Sequence, residues 1–495
     1  MANIQIVETS LRDGNQSLWA ATGIDTARTL TVASVMDRVG FKAIDFTTST
    51  HMGVAVRYKQ EDPWERIRLM AKAAPNTPLQ FLSTGFRFIS WETASPEFMK
   101  LAFATLVKNG IRRFALADPM NNADSNIACA RMIKEVGGQC VVAALVFTIS
   151  PIHDDAHYVE RASKLAASPD VDAIYIKDPG GLLTPLRARV LIPAVKAVVG
   201  DKPLELHSHC TIGLGELVYM DAPEWGVGTL HCASGAASDG ISNPPSERVV
   251  SNLRQLGHQI DINDQALAEV GRYFTRLAEA EGLPAGRPQA FDAAYYHHQL
   301  PGGMTGTMRR HLAENRLAHL ESAVIEELGR VRLELGWPIV MTPFSQMLLT
   351  QAVMNVTGKQ RYAVVPDEVI RYALGRFGKP NLPIAPEVMD RIDAMPRTRE
   401  LRHEPHMPAL ARLRQQIGAQ LCDEEFLLRA TMPAEQVDAM KAAGPAPQTY
   451  NPDIAPVMHL LRRLRAHPDI ARLSVDKPGF KLELKGRPAP NKATA

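Results

Sequence analysis

Residues 4–39 read IQIVETSLRDGNQSLWAATGIDTARTLTVASVMDRV, and this segment shows the unit from which most of the chain is built. It begins with a short apolar run, Ile4–Val7, and ends with a longer amphipathic segment, Ile24–Val39. The short run predicts a buried strand and the longer segment predicts a helix. The polar loop between them, which contains Asp13, follows the strand directly.

The same alternation of short apolar runs and amphipathic segments continues to about residue 300. Eight strand-helix units within roughly 250–300 residues is the expected size of a TIM (β/α)8 barrel. We therefore predict an α/β fold with a TIM barrel over residues 1–300. The predicted strands are Ile4–Val7, Ala43–Thr47, Leu79–Leu82, Arg113–Leu116, Val141–Phe147, Ala173–Lys177, Leu204–His207 and Gly228–Cys232.

The pattern changes after Pro301-Gly302-Gly303, a turn-forming sequence that interrupts the alternation. Beyond it, helix-forming residues dominate, for example over Met308–Leu335. We predict a mainly helical C-terminal domain over residues 301–485 that completes the active-site funnel. Residues 486–495 are polar with two prolines and predict a disordered tail.

Composition excludes several classes of protein. The 55 basic and 53 acidic residues give a net charge of +2, which offers no attraction for nucleic acid. No apolar stretch approaches the roughly 20 residues that a membrane-spanning helix needs, so we expect no membrane insertion. The five cysteines are scattered and predict reduced thiols. These features indicate a cytoplasmic enzyme.

Four residues with metal-binding potential lie at or just after the carboxyl ends of predicted strands, where active sites of barrels form. They are Asp13, Lys177, His207 and His209. The two histidines are two residues apart on an extended chain, so their side chains point the same way and can share one divalent cation. Lys177 has three possible roles: a positive handle for an anionic substrate, a Schiff-base nucleophile, or a ligand once carbamylated.

Five ordered motifs resemble one enzyme family. They are LRDGNQSL (11–18), IKDPGGLLTP (176–185), LHSHCTIG (206–213), YHHQLPGG (296–303) and MTPFSQ (341–346). The chain resembles the carboxyltransferase family shared by pyruvate carboxylase, the oxaloacetate decarboxylase α subunit and the keto-acid-side subunit of transcarboxylase. The resemblance covers most of the chain.

The resemblance implies a biotin-linked carboxyltransferase or an oxaloacetate decarboxylase-like enzyme. It would act on a β-keto acid of the oxaloacetate or pyruvate type, and a bound Zn²⁺, Mn²⁺ or Co²⁺ would stabilise the enolate. The implied ligands are Asp13, His207, His209 and a carbamylated Lys177. Arg12 and Gln16 would bind the substrate, and Thr342 would carry a proton between substrate and biotin. A homodimer is also implied.

The substrate end departs from the family pattern. The family has an arginine for the keto-acid carboxylate where this chain has Thr84, and a hydroxyl cannot replace a bidentate guanidinium. Arg87, three residues later, is the alternative cation. Cys210 also replaces a family aspartate, and residues 47–51 replace a glycine-rich segment. These differences leave the identity of the small carboxylic acid substrate open.

Biotin is expected on a separate carrier protein, if it is used. Ala439-Met440-Lys441 resembles the tripeptide whose lysine receives biotin. That lysine lies on a β-turn in biotinyl domains, whereas residues 433–442 here have a helical pattern. We therefore predict that biotin arrives on a separate biotinyl carrier subunit.

Two other classes compete with this interpretation. The motif Arg12-Asp13-Gly14-Asn15-Gln16 also resembles metal-dependent lyases and Claisen-type aldolases such as hydroxymethylglutaryl-CoA lyase and isopropylmalate synthase. Those enzymes hold one metal with an aspartate and a His-x-His pair but no lysine. The third class is a scaffold subunit without activity, which the retained set of metal-binding residues disfavours.

Overall fold

The computed structural model describes residues 1–90, 92–341, 344–378, 380–404, 407–465, 472–477 and 480–485. Eight parallel strands form a closed barrel, in which β1 pairs with both β2 and β8. The predicted TIM barrel is confirmed. The strands are β1 Gln5–Glu8, β2 Ala43–Thr48, β3 Leu79–Ser83, β4 Arg113–Leu116, β5 Cys140–Val146, β6 Ala173–Asp178, β7 Leu204–Ser208 and β8 Val227–Cys232.

Each strand end lies within one residue of its predicted position. This agreement arises because the barrel strands are buried on both faces and therefore appear in the sequence as short apolar runs bounded by polar or turn-forming residues. Two more strands, β9 Arg472–Lys477 and β10 Phe480–Lys485, form an antiparallel pair near the C-terminus. That pair lies within the range predicted to be mainly helical.

Helices follow the barrel strands and continue beyond them. Polar N-cap side chains begin many of the barrel helices by accepting a hydrogen bond from a free backbone N–H. Examples are Asp25, Ser95, Asn122, Asp154 and Thr184. The helices are α1 Asn15–Trp19, α2 Thr26–Met36, α3 Ser49–Val54, α4 Pro63–Ala73, α5 Pro96–Asn109, α6 Ala123–Glu135, α7 Asp155–Ala167, α8 Pro185–Val199, α9 Gly215–Asp221, α10 Ser246–Gln255, α11 Asp264–Glu281, α12 Tyr295–His298, α13 Gly302–Glu314, α14 Glu321–Glu334, α15 Phe344–Thr357, α16 Asp367–Ala373, α17 Pro386–Ala394, α18 Pro396–Arg402, α19 Leu410–Ile417, α20 Asp423–Thr431, α21 Ala434–Ala443 and α22 Ala455–Arg465.

The helix-forming segment Met308–Leu335 is divided between two helices, α13 and α14. The chain breaks at Arg316, whose φ is 61°, and the Leu317 N–H donates to the Leu312 carbonyl at 2.7 Å. This left-handed residue and backward hydrogen bond are typical of a helix C-terminus. No glycine or proline marks the break, which is why the composition of the segment did not reveal it.

The helical region consists of two parts that pack differently. Helices α13–α18 surround their own hydrophobic core, which includes Leu328, Phe344 and Tyr372. Helices α19–α21 instead pack against the barrel helices, where Phe426 lies 6.3 Å from Phe98 between ring centroids. The domain ranges 1–300 and 301–485 stay predictions, while the hydrophobic contacts join residues 410–443 to the barrel.

The barrel interior has two chemically different sides. The apolar half is a buried cluster on β3–β6 to which Ile339 and Met341 of the helical region also belong: Leu82, Ala115, Ala117, Val142, Ala144, Val146, Ala173 and Tyr175. The polar half carries Asp45 of β2, Glu205 and His207 of β7, and Thr229 and His231 of β8. An Arg113–Glu205 ion pair of 2.6 Å joins the non-adjacent strands β4 and β7, so it must cross the interior.

Among the described residues, no helix is both long and apolar enough to cross a membrane. The longest barrel helix, α11, has 18 residues and carries charges along its length.

Candidate metal centre and substrate cavity

The four predicted metal ligands lie together at the carboxyl end of the barrel. Asp13 lies in a π-helical turn, Ser10–Gly14, that follows β1 directly. Lys177 of β6 and His207 of β7 are register partners, and His209 follows β7. Side chains at the same register of neighbouring parallel strands lie side by side. Tertiary closure of the barrel then brings Asp13 to the other three.

The distances are short enough for one shared ion. The Asp13 Oδ2 atom lies 3.0 Å from His207 Nε2 and 3.4 Å from His209 Nε2. The Lys177 Nζ atom lies 3.0 Å from His207 Nε2 and 3.6 Å from Asp13 Oδ2. Within the described ranges, Asp13, His207 and His209 form the one group of three such ligands that could hold a metal.

The loop that follows β6 approaches His209 closely. Gly181 has a φ of 69°, and a Cβ atom there would lie 2.6 Å from the His209 carbonyl oxygen. The Asp178 carboxylate fixes this loop by accepting hydrogen bonds from the Leu182 and Leu183 N–H groups and from the Ser208 hydroxyl. Only glycine fits at residue 181 without displacing the backbone beside His209.

The polar atoms at the centre fit a cation. Among the described residues, His209 Nε2 is buried without a hydrogen-bond partner, and Asp13 Oδ2 has ion-pair contacts, one of them with Arg12 at 2.9 Å, but no aligned hydrogen bond. The His209 Nδ1 atom lies 2.8 Å from the Ile241 carbonyl, which can only accept, so Nδ1 carries the proton and Nε2 presents a lone pair. A carboxylate oxygen and two imidazole nitrogens facing one another are the ligands that Zn²⁺ and similar divalent ions prefer.

Charges around the centre keep Asp13 ionised. Burial alone raises the pKa of a carboxyl group, but Arg12 and Lys177 act against it, and the pKa of Asp13 lies well below its usual value. Burial lowers the pKa of Lys177 to about 8, although nearby Asp13 acts in the opposite direction. An anionic oxygen ligand is therefore present at neutral pH beside an amine that is easily deprotonated.

Arg12 is engaged with carboxylates. Its guanidinium donates to Asp45 from Nε at 2.7 Å and pairs with Asp13 at 2.9 Å through Nη2. Arg12 therefore orients Asp13 and also neutralises part of the buried negative charge. Gln16, predicted with Arg12 to bind substrate, has a buried Oε1 atom with no hydrogen-bond partner among the described residues. Both residues line the cavity beside the metal centre.

A cavity of about 300 Å³ opens next to these residues. It lies where the barrel mouth meets the helical region, since Pro301 and Met341 form part of its wall. Six hydroxyl side chains line it: Ser17, Thr48, Ser49, Thr50, Thr84 and Ser90. Its charged lining residues are Arg12, Asp13, Arg57, Arg87 and Lys177. Cations outnumber acids, so the cavity favours an anionic ligand.

Arg87 lines this cavity and also connects two parts of the fold. Its guanidinium donates to the Thr84 carbonyl at 2.8 Å and to the Phe377 carbonyl at 2.5 Å. It thus ties the loop after β3 to the helical region. Burial lowers the pKa of Arg87, with Asp118 acting in the opposite direction.

Arg57 is a further cation of the cavity, which no sequence motif indicated. Arg57 lies in a second π-helical turn, Ala55–Lys59, and its side chain is exposed. Its Nε atom donates to the Gln436 side chain at 3.2 Å, and no described carboxylate pairs with it. The residue lies well beyond the end of β2, so a search of strand ends could not find it.

Thr342, the predicted proton carrier, lies outside the described residues and stays a prediction. Its neighbour Met341 is buried and lines the cavity. Lys441, in the tripeptide that resembles a biotinylation site, lies within helix α21 and pairs with Glu425 at 2.7 Å. A lysine on a helix does not have the β-turn setting of a biotinyl lysine.

Known protein families match both parts of the chain. A family described as HMGL-like matches residues 3–273, and one described as a conserved carboxylase domain matches residues 295–465. A pyruvate carboxylase subunit from Methanocaldococcus jannaschii is 35% identical over 390 residues, covering 79% of this chain and 68% of that protein. The chain belongs to the keto-acid carboxyltransferase family.

Other relatives agree with this family. The 2-oxoglutarate carboxylase large subunit of Hydrogenobacter thermophilus is 31% identical over 445 residues, covering 88% of this chain and 68% of that protein. The carboxyl transferase domain of Rhizobium etli pyruvate carboxylase, solved with pyruvate, has the same fold with a TM-score of 0.81. It is 22% identical, and the match covers 92% of this chain and 80% of that domain.

The family confirms the resemblance inferred from the five motifs. The lyase and aldolase alternative has weaker support, because the HMGL-like match ends at residue 273. The carboxylase match and the relatives extend through the helical region, which the alternative does not explain.

Proposed function

We propose that this member of the keto-acid carboxyltransferase family moves a carboxyl group between biotin and a small 2-oxo acid. The observation that carries the proposal is the convergence of Asp13, His207 and His209 beside a cavity rich in cations. A divalent ion held there supplies a Lewis acid that stabilises negative charge on the enolate oxygen of the substrate. The names of the relatives, a pyruvate and a 2-oxoglutarate carboxylase, support a 2-oxo acid.

The chain's own residues have separable tasks in this proposal. Arg12 holds the Asp13 carboxylate in position through its 2.9 Å ion pair. Gln16, with its unpartnered Oε1 atom, can accept a hydrogen bond from a ligand in the cavity. Thr342 carries the proton between the methyl carbon of the 2-oxo acid and biotin, as the family resemblance implies. Met341 and Ile339 exclude water from the adjoining barrel interior.

Carboxyl transfer in the decarboxylating direction has a simple balance. The bond between the β-carbon and its carboxyl group breaks, and the electron pair passes into the enolate. The carboxyl group leaves for a biotin nitrogen, and the proton of that nitrogen passes through Thr342 to the β-carbon. We propose that biotin arrives on a separate carrier protein, a proposal supported by relatives that are themselves named as single subunits of a carboxylase.

Lys177 is proposed as a carbamylated fourth ligand. Its Nζ atom lies 3.0 Å from His207 Nε2, so an added carboxylate would reach the centre. Lys177→Ala should lose metal, and acetate or propionate should restore part of it by supplying the missing carboxylate. Lys177→Arg cannot form a carbamate, so retention of full metal by this control variant would contradict the proposal. Metal content is measured after dialysis with and without bicarbonate.

The transfer itself is tested with oxaloacetate. Metal-loaded protein is incubated with oxaloacetate in the presence and absence of free biotin, and pyruvate release is compared with that of Thr342→Ala. Release that biotin stimulates and the substitution abolishes supports carboxyl transfer. Release that depends on neither biotin nor Thr342 indicates simple decarboxylation. If oxaloacetate yields no pyruvate but the β-carboxylated form of 2-oxoglutarate yields 2-oxoglutarate, the longer acid is assigned as the substrate.

We also propose a homodimer, which the family resemblance implies, and a cytoplasmic location, which the composition favours. Light scattering coupled to size-exclusion chromatography distinguishes a dimer of about 109 kDa from the 54.3 kDa chain.

A further inference from the structure

A chain of buried polar groups runs from the metal centre into the barrel. The Nδ1 atom of His207 lies 3.3 Å from Nδ1 of His231, and Nε2 of His231 lies 3.0 Å from Glu205 Oε2. All three residues are at most 1% exposed. None of the sequence motifs includes His231, and neither it nor Glu205 lines the cavity.

The direction of these hydrogen bonds is set at the Glu205 end. Arg113 donates to Glu205 at 2.6 Å and Lys42 donates to it at 3.0 Å. Burial alone would raise the pKa of Glu205, but Arg113, His231 and Lys42 hold it well below its usual value. An ionised carboxylate can only accept hydrogen bonds, so His231 Nε2 carries a hydrogen and donates a hydrogen bond to Glu205.

The second hydrogen bond then follows from the first. The Nδ1 atoms of His231 and His207 lie 3.3 Å apart, so one of them donates and the other accepts, and His231, whose proton is on Nε2, offers Nδ1 as the acceptor. Because Nδ1 of His231 accepts, the proton between the two rings belongs to Nδ1 of His207. The Nε2 atom of His207 is then left with a lone pair, 3.0 Å from Asp13 Oδ2.

An independent contact gives the same assignment. The Asn243 side chain donates from Nδ2 to the Ser208 carbonyl at 3.0 Å, which identifies that atom as the amide nitrogen. The same Nδ2 atom lies 3.3 Å from His207 Nε2. An amide N–H facing Nε2 requires a lone pair there. Two unconnected contacts therefore specify the same tautomer of His207.

The ring of His231 is also held in place. Tyr175 stacks on it with ring centroids 5.4 Å apart and an interplanar angle of 16°. The His207 ring meets it edge-on, at 85°. Arg113, which fixes Glu205, is itself hydrogen-bonded to Gln80 at 2.7 Å. Glu205, His231 and His207 thus each have a fixed neighbour on at least one side.

We infer that His231, backed by Glu205, is a positioning residue that fixes His207 in the tautomer whose Nε2 atom can bind a metal. Ligand histidines commonly donate their second N–H to a carboxylate or carbonyl, and loss of that partner costs about 10- to 100-fold in metal affinity. Here an imidazole lies between the ligand and the carboxylate. The inference rests on the metal centre of the proposed function but not on carboxyl transfer.

Two substitutions at residue 231 test this role. His231→Phe keeps an aromatic ring for Tyr175 to stack on but removes both nitrogen atoms. His231→Gln keeps an N–H for Glu205 and a carbonyl oxygen for His207 Nδ1. The dissociation constant for Zn²⁺ is measured by competition with a chelator, and the melting temperature of the metal-free protein is measured beside it.

We expect His231→Phe to bind Zn²⁺ about 10- to 100-fold more weakly, with His231→Gln restoring affinity to within a few-fold of the parent chain. The metal-free melting temperatures should not follow this order. Equal affinity in all three proteins would overturn the inference. The inference is also overturned if His231→Phe loses Zn²⁺ affinity in parallel with a fall in its metal-free melting temperature and His231→Gln does not restore that affinity. Such a result indicates only a packing role for His231.

The test separates two kinds of failure. A parent chain that binds Zn²⁺ but transfers no carboxyl group would contradict the proposed function and leave the affinity order of the variants readable. A parent chain that binds no divalent ion would overturn both the metal centre and the role of His231.

Discussion

The two sides of the barrel interior lie on different strands of one closed sheet and differ in chemistry. On the apolar half, small and branched side chains pack against Ile339 and Met341 of the helical region. On the polar half, Glu205, His207 and His231 form a hydrogen-bonded series that ends at the candidate metal site of Asp13, His207 and His209. Burying such charges is costly unless each is paired. Each charged group of the polar half therefore requires a partner, whereas the side chains of the apolar half need only to fill the interior.

The largest expected effect comes from removing a ligand on the polar half. His209→Ala should reduce bound metal to less than about a tenth of an equivalent and lower carboxyl transfer by roughly 1000-fold. His319, on an exposed turn of the helical region, provides the control His319→Ala, which should keep both properties. Metal analysis and pyruvate release are the measurements. Full metal binding by His209→Ala would show that the polar half does not hold the metal.

Removing volume on the apolar half should change stability and not metal binding. Ile339 is 1% exposed and packs in the apolar half. Ile339→Ala should reduce the free energy of unfolding by about 3 kcal/mol, as expected for a buried isoleucine. Ile454 is 54% exposed, and the control Ile454→Ala should change the free energy of unfolding by less than about 0.5 kcal/mol. Urea unfolding of metal-free protein measures both, and loss of metal by Ile339→Ala would show that the two halves are coupled.

A smaller effect is expected at the rim. Arg57 lines the cavity without a described carboxylate partner, and Thr84 stands where the family has an arginine. If Arg57 binds the substrate carboxylate, Arg57→Gln should raise KM about 10- to 100-fold, the value of a hydrogen bond to a charged group. The control Gln436→Ala removes only the amide partner of Arg57 and should leave KM within about threefold. A fall in kcat at constant KM would contradict substrate binding by Arg57.

The smallest effect concerns pH and contrasts two buried glutamates. Ion-pair partners keep Glu205 ionised, whereas burial raises the pKa of Glu8 to about 8 from an ordinary value of 4.5. Between pH 4.5 and about pH 8, Glu8 is protonated in the folded chain but ionised in the unfolded chain. The contribution of Glu8 to stability is therefore lost as pH rises through 8.

Glu8→Gln removes that titration. Its melting temperature should fall less than that of the parent chain between pH 5 and pH 8.5, and the two proteins should be closest at pH 5. Scanning calorimetry at several pH values measures this difference. Parallel pH profiles for the two proteins would show that Glu8 does not bind the proton.

Much of this architecture could be predicted from the sequence because its signals are local. Short apolar runs placed every barrel strand to within one residue. The rule that active residues follow parallel strands brought Asp13, Lys177, His207 and His209 to one end. These residues converge in the structure because the barrel closes between β1 and β8, so sequence-distant positions become neighbours.

The features that the sequence did not reveal depend on contacts between distant residues. His231 appears in the sequence as one polar residue within the strand Gly228–Cys232, and only its contacts with Glu205 and His207 give it a role. Arg57 has no strand-end position to mark it. Arg87 was a candidate substrate cation, but its bonds to the Thr84 and Phe377 carbonyls engage its guanidinium in the fold. The return of α19–α21 to the barrel has no local signal at all.

That return has a consequence during synthesis on the ribosome. Phe98, on the outer surface of the barrel, contacts Phe426, which is translated more than 300 residues later. At about 5 to 20 residues per second, this interval lasts roughly 15 to 65 seconds. Throughout it, the apolar strip around Phe98 lacks its native cover. Once β8 has ended at Cys232, a closed barrel still waits about 10 to 40 seconds for Phe426. A newly made barrel is thus exposed to aggregation during this interval, and chaperones that bind apolar surfaces have time to act on it.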